Sequence, residues 1–430
     1  MKPPLKIAIA GLGTVGAGTV RLLRQNAALL ERRAGRPLVL TAVAARDKGR
    51  DRGLDLAGVR WEGNVAALAS ADDVDLVIEL IGGSDGPARA LVTAALGNGK
   101  HVVTANKALI AHHGAALARL AEERAVALAF EAAVAGGIPI LKALREGLSA
   151  NNVQSIHGIL NGTCNYVLTT MRETGRDFAD VLAEAQRLGY AEADPSFDID
   201  GIDSAHKLAL LASVAFGTEV DFASVHVEGI RHVSALDIAF AEDLGYRIKL
   251  LGLARPTEHG LEQRVHAAMV PRTAPIALVD GVYNAVVVEG DFVGRVMLEG
   301  RGAGAEPTAS AVVADVLDVA SGRALTSFAG PASQLRRLPA APIERHRGAY
   351  YVRLMVLDRP GVIADVTAAL RDEAVSMEQM IQRGRAPGEA VPVVLTTHET
   401  EEAAMRRALE RIARLATVTE PPRMIRVENF

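Results

Sequence analysis

The chain has 430 residues, of which 49% are hydrophobic and 4% aromatic, and a formal net charge of −4. That length predicts two or three domains, and a near-balanced charge without a basic block argues against nucleic acid, whose phosphates need clustered Lys and Arg. A single cysteine, Cys164, excludes an internal disulfide framework and a cysteine-based zinc site, and no apolar run reaches the length of a membrane span. With only Met1-Lys2-Pro3-Pro4 before the first apolar run, no leader is expected, and the expected setting is a reducing cytoplasm without membrane association.

Residues 5–10 read as a short buried strand that stops at Gly11, and 14–30 show helical spacing through Val15, Leu22, Leu23, Leu29 and Leu30. Residues 38–45, 75–80 and 101–104 read as further buried strands, with a helix over 88–96. Strands alternating with helices predict a parallel sheet covered on both faces, so 1–130 are expected to form a Rossmann-type nucleotide-binding domain. Beyond Glu131 the texture changes: 138–148, 166–172, 178–188 and the strongly apolar 204–216 read as helices. Segments 248–254, 262–270, 284–289 and 294–299 read as strands, so 131–306 are expected to form a second, α+β domain. Pro307 suits a first helical turn, and the helix at 307–322 is expected to return to the first domain. Residues 323–348, with Pro331, Pro339 and Pro342, read as a linker. The remainder, 349–430, reads as a small βαββαβ unit: strand 350–356, a turn at Asp358-Arg359-Pro360-Gly361, helix 362–373, strands 375–381 and 391–397, helix 401–415 and strand 424–428. The predicted fold class is α/β, with these three units in sequence.

The run Gly11-Leu12-Gly13-Thr14-Val15-Gly16 lies directly between a predicted strand and a predicted helix. In that context a GxGxxG gives a tight turn, close backbone approach to a pyrophosphate and tight helix–strand packing. The helix start offers free N–H groups to the anion; the alternative is a glycine-rich structural turn. The second strand ends at Arg46-Asp47-Lys48-Gly49-Arg50, where an NAD site ordinarily presents an acid to the ribose hydroxyls. Arg46, with Lys48 behind it, suits a 2′-phosphate and favours NADP, while Asp47 leaves NAD open. Lys107 follows the 101–104 strand, at the carboxyl end where open parallel sheets bind ligands, and is expected near the nicotinamide. Lys207 interrupts an apolar helical run, with Asp203 four residues earlier on the same face. An ammonium so placed is paired, neutral or at work, and a buried Asp–Lys pair without chemistry is the alternative. Cys164 lacks the paired histidine that an acyl-enzyme thiol needs and is expected to pack.

These segments, with Glu79-Leu80-Ile81-Gly82-Gly83, Val103-Thr104-Ala105-Asn106-Lys107, Leu160-Asn161-Gly162-Thr163-Cys164-Asn165-Tyr166, and the stretches 130–139, 190–195, 198–207 and 302–310, resemble the homoserine dehydrogenases over essentially the whole chain. The resemblance implies reversible oxidation of L-homoserine to L-aspartate 4-semialdehyde with NADP, preferred, or NAD, in threonine, methionine and isoleucine biosynthesis. It makes Lys207 the proton donor, Asp203 the carboxylate that orients it, and Lys107 a second catalytic cation touching substrate and cofactor. It makes Glu192 the principal substrate ligand with Asp198 helping, and brings Gly304 over the cofactor held by Gly11, Leu12, Gly13, Thr14, Val15 and Gly16. It also implies a monovalent cation, usually sodium, on main-chain carbonyls of Glu131, Val134, Gly136 and Ile138, with an ion-free helix entry as the alternative. Residues 349–430 resemble an ACT domain, which implies an amino-acid effector, L-threonine, against the alternative of an inert dimerisation module. The expected assembly is a homodimer or homotetramer. Two rival readings are a dehydrogenase of another amino acid or amino-aldehyde, and a non-catalytic amino-acid sensor that retains nucleotide binding.

Overall fold

The computed structural model describes residues 2–323, 326–383 and 386–430. Its first sheet has six parallel strands in the order β3-β2-β1-β4-β5-β6: β1 Leu5–Ala10, β2 Leu38–Ala44, β3 Arg60–Glu62, β4 Leu76–Glu79, β5 His101–Thr104 and β6 Leu128–Ala129. Alternation along each strand divides its side chains between two cores. Ile7, Ile9, Val43, Ile78 and Val103 pack with Val20 and Leu23 of the Thr14–Gln25 helix and with Val312 and Val316 of the Ala305–Ser321 helix. The smaller Ala8, Ala10, Ala42 and Ala44 meet Leu91, Ile110 and Leu117 of the Pro87–Gly97 and Lys107–Glu123 helices on the other face. The Ala305–Ser321 helix thus returns to the first sheet, beginning two residues before Pro307.

A second sheet is mixed, with main order β12-β11-β7-β9-β10-β17-β13-β15-β14. Its strands are β7 Val153–Ile159, β8 His226–Val227, β9 Tyr246–Thr257, β10 Gly260–Pro271, β11 Tyr283–Gly290, β12 Gly294–Arg301, β13 Arg347–Leu357, β14 Met377–Gln382, β15 Ala390–Thr397, β16 Thr400–Glu401 and β17 Arg423–Val427. β8 joins along β10 and β16 along β13. The expected C-terminal order is present, with β16 added immediately before the Glu402–Ala413 helix. β17 pairs antiparallel with β13 and also parallel with β10, through Ala268–Arg426 and Met269–Val427, so the C-terminal strands continue the preceding sheet.

The helical stretch read at 14–30 divides at Asn26 into Thr14–Gln25 and Ala27–Ala34, and two further readings change. The helix expected at 138–148 is one α-turn, Ile140–Lys142, widened into a π-turn at Ala143–Gly147. β7 was not foreseen, because Val-Gln-Ser-Ile-His-Gly-Ile carries polar residues and a glycine, yet it pairs with both β9 and β11. The described part of 323–348 lies along the preceding domain: Leu261 N–H donates to the Pro339 carbonyl and Arg336 N–H to the Gly217 carbonyl.

Candidate active site

β1 ends at Gly11, whose φ of +100° and a would-be Cβ 2.4 Å from the Leu80 carbonyl oxygen admit only glycine. Gly13 caps the Thr14–Gln25 helix without a side-chain bond and faces open space, so the first-turn N–H groups remain available to an anion. Arg46 and Lys48 are exposed on the loop after β2. The Asp47 carboxylate is turned back on that loop and accepts from Gly49 and Arg50 N–H at 2.8 and 3.2 Å. Arg52, which sequence reasoning passed over, ties the loop down. Its guanidinium donates to the carbonyls of Leu12 (3.0 Å), Arg50 (2.6 Å) and Asp47 (2.6 Å) and lies over the Trp61 ring. The only sequence signal was its place in the alternation Arg46, Lys48, Arg50, Arg52.

At the ends of β4 and β5, buried Glu79 accepts from Ile81 and Gly82 N–H and from the Thr104 hydroxyl at 2.7, 3.1 and 2.6 Å. Thr104 Oγ1 in turn accepts from Asn106 N–H, and Asn106 caps the next helix through Leu109 N–H while donating to the Gly83 carbonyl. Lys107, first residue of that helix, is thereby aimed across the cleft, where Nζ meets Asp203 Oδ1 at 2.8 Å.

The Ile202–Phe216 helix supplies the opposite wall. Asp203 and Lys207 are both buried, and Lys207 Nζ donates to Asp203 Oδ2 and to the Leu160 carbonyl, each at 2.7 Å. Asn161 Nδ2 bridges Asp203 Oδ2 and Asp198 Oδ1 at 2.9 and 2.8 Å. Burial opposes ionisation of Asp203, but the charges of Lys207 and Lys107 outweigh it and hold the carboxyl well below the usual range. Burial raises Asp198, against the lowering effect of its Asn161 bond. These groups line a cleft of about 570 Å³ that also takes in Thr163, Val15 and Gly304. Gly304, with φ +123°, caps the Ala305–Ser321 helix without a side-chain bond. A smaller cavity of about 210 Å³, between 218–224 and 337–340, holds none of the predicted site residues.

The structure does not bring Glu192 into this cleft. Its side chain is exposed and its carbonyl accepts from Gln186, while Gly189 and Tyr190 of the same turn are the residues that reach the cleft. Asp194 is spent on Ser196 N–H, and Asp200 pairs with Arg231, leaving Asp198 and Asp203 as the acids that face inward. Arg46 and Lys48 also lie outside the cleft lining. Cys164 is buried, its thiol pushed well above its ordinary value by burial, and its S–H donates to the Asp198 carbonyl at 3.2 Å.

The 131–138 turn adopts left-handed φ at Ala135 (54°) and Gly136 (50°), and a Cβ on Gly136 would stand 2.3 Å from the Gly302 carbonyl oxygen. Of its four predicted carbonyl ligands, Glu131 and Ile138 each accept one backbone N–H, from Val134 and Ile140, which leaves each a lone pair. The Val134 and Gly136 carbonyls accept none among the described residues. Hard, neutral oxygens of this kind fit an alkali ion. Among the described residues no group of three or more His, Cys, Asp or Glu could hold a metal ion, and no helix is long and apolar enough to cross a membrane.

Family models described as "Homoserine dehydrogenase", "Homoserine dehydrogenase, NAD binding domain" and "ACT domain" match residues 139–317, 11–131 and 350–416. The homoserine dehydrogenase of Pseudomonas aeruginosa is 48% identical over 436 residues, covering 99% of each chain, and that of Neisseria gonorrhoeae is 45% identical over 435 residues with the same coverage. A crystal structure of a homoserine dehydrogenase from Thiobacillus denitrificans superposes with a TM-score of 0.94 at 47% identity, over 99% of this chain and 98% of that one. A hyperthermophilic archaeal homoserine dehydrogenase in complex with NADPH gives 0.63 at 28% identity, over 74% and 97%. With relatives alike from end to end in both sequence and fold, the chain belongs to the homoserine dehydrogenase family and is an oxidoreductase with a nucleotide-binding domain.

Proposed function

We propose that Lys207 exchanges the proton in the NADP-linked interconversion of L-aspartate 4-semialdehyde and L-homoserine. The observation that carries this is the count of N–H groups on Lys207: two of three are committed, to Leu160 and Asp203, and the residue lines the cleft. The third is available to a substrate oxygen. The nicotinamide, when bound, supplies or accepts the hydride. In the reducing direction the aldehyde oxygen gains negative charge, Lys207 donates a proton to it, and Lys107 lends a second positive charge. In the oxidising direction neutral Lys207 takes the hydroxyl proton. Asp203 holds both amines at fixed positions and is not consumed.

Asp198, facing the same cleft, suits the α-ammonium of the substrate. Glu192, exposed on the turn whose Gly189 and Tyr190 line the cleft, is the second acid in this reading. Three exposed cations, Arg46, Lys48 and Arg50, and an Asp47 carboxylate engaged with its own loop support NADP over NAD. The free carbonyls of the 131–138 turn support a sodium ion that fixes the turn against Gly302. Gly361, at φ +94° and without a side-chain cap, opens the Val362–Asp372 helix to a carboxylate and supports L-threonine as effector. The edge strands β12 and β14, with Phe292 92% exposed beside the first, support a homodimer or homotetramer. The functional division proposed is 1–130 with 307–322 for nucleotide, 131–306 for substrate, 323–348 as connection and 349–430 for regulation, in a cytoplasmic enzyme.

The test is absorbance at the reduced-nicotinamide band after adding L-homoserine with NADP+ or NAD+. Signal with both and a higher kcat/KM for NADP+ is expected. Folded protein that gives signal with neither contradicts the proposal and favours the sensor.

A further inference from the structure

We propose that Asn161 is a positioning residue of the acid–base centre: its amide clamps the two cleft carboxylates, so that Asp203 serves the lysines and Asp198 stays with the substrate. The inference rests on the reading of Lys207 as the proton-exchanging group. Asn161 is 4% exposed and caps the Gly162–Thr174 helix, where Oδ1 accepts from Cys164 N–H at 2.8 Å. That bond fixes which end of the amide is which. Reversing the group would set Nδ2 against an N–H and Oδ1 between two carboxylates. Nδ2 therefore spends one hydrogen on Asp198 Oδ1, at 2.8 Å, and the other on Asp203 Oδ2, at 2.9 Å.

The neighbouring residue completes the arrangement, since the Leu160 carbonyl accepts from Lys207 Nζ at 2.7 Å. Two consecutive residues directly after β7 thus orient both members of the Asp203–Lys207 pair. The other Asp203 oxygen is taken by Lys107 at 2.8 Å. Asp198 has a second, longer contact from the Thr163 hydroxyl at 3.3 Å. A neutral double donor between two acids matters because carboxylates sharing a buried site otherwise hold a proton between them. Such a shared proton would weaken the grip of Asp203 on the ammonium and of Asp198 on a cationic substrate.

Asn161→Ser and Asn161→Asp both keep an oxygen for the helix cap and delete the amino group. Homoserine oxidation across pH, NADPH binding and thermal unfolding are to be measured on both, with Lys207→Ala alongside. The expected result is a loss in kcat/KM for homoserine of about ten- to a hundredfold in each variant, with NADPH affinity unchanged. In Asn161→Asp the acid limb of the profile moves to higher pH, because a third carboxyl set against Asp198 and Asp203 holds a proton with them, and that proton has to leave before both cleft acids are charged. In Asn161→Ser that limb moves less. Profiles and KM that coincide with the parent, with only the unfolding temperature lowered, would leave Asn161 a helix cap and overturn the inference. Near-parent activity in Lys207→Ala overturns the underlying reading instead; an inactive Lys207→Ala beside normal Asn161 variants overturns the clamp alone.

Discussion

Asp203 accepts from Lys207 and Asn161 on one oxygen and from Lys107 on the other. Removing its charge leaves two amines facing each other in a buried site, where an unpaired charge is strongly unfavourable. Asp203→Asn is expected to cost about 3 kcal/mol of stability and at least about a hundredfold in kcat, seen by thermal unfolding and steady-state kinetics. The Asp203–Lys207 pair was legible in the sequence because both residues occupy one helix face, four positions apart. Lys107 was legible as a residue following a strand, yet its contact with Asp203 joins two domains and leaves no local pattern. Asn161 acts on the side chains of Asp198 and Asp203, 37 and 42 residues on, and Arg52 on the Leu12 carbonyl 40 residues back, and no local spacing reveals contacts of that range. Five acids crowd 192–203, and only folding decides that Asp198 and Asp203 turn inward while Glu192 faces solvent.

Loops at the ends of the strands are where sequence and geometry meet least directly. The strand–glycine–helix order at 5–25 was legible because a buried apolar run, fixed glycines and helical periodicity coincide there. β7 was illegible because pairing with β9 and β11 on both sides, not its own propensity, makes it a strand. The Arg52 brace joins the 46–52 loop to the carbonyl of Leu12 inside the nucleotide turn. Arg52→Ala is expected to weaken NADPH binding about tenfold and NADH binding less, measured by fluorescence titration. Gly136→Ala places a methyl against the Gly302 carbonyl in a left-handed conformation. It is expected to lower stability by about 1–3 kcal/mol and to raise the KM for cofactor, since Gly302 lines the cleft.

Across the whole molecule, the shared sheet joins the C-terminal strands to the wall that carries Lys207. β17 lies on β10, β10 pairs along its length with β9, and Gly252 of β9 sits within 3.6 Å of Leu208 when given a Cβ. Ion pairs cross this joint, Arg426 with Glu228, Arg264 with Glu428 and Arg353 with Asp237, while Glu402 and Glu262 pair with Arg426 and Arg264 from their own sides of it. Arg426→Ala leaves Glu402 to Arg406 alone and Glu228 to His226 and a longer Arg406 contact, and is expected to cost about 3 kcal/mol, read by thermal unfolding. Burial opposes ionisation of Glu228, Glu262 and Asp237. Hydrogen bonds from His226 and Arg426, from His346, and from Arg353 outweigh it, with neighbouring arginine charges adding, and set all three below their ordinary values of 4.5, 4.5 and 3.8. The unfolded chain therefore binds these protons more tightly, so the stability these acids lend is full above those values and is lost as pH falls through the lower folded ones. The unfolding temperature is expected to drop steeply below about pH 4.5, and less so in the Arg426 variant. Threonine titration of activity, compared with a chain ending near Leu338, tests whether this joint transmits a signal; equal inhibition of both would remove the regulatory reading.

Rescue of Lys207→Ala by small primary amines measures the central claim directly. The variant should bind NADPH normally and oxidise homoserine at least about a thousandfold more slowly, with ethylamine restoring part of the rate in proportion to its free-base concentration. Near-parent turnover without any amine would contradict the account and reassign the proton to another group.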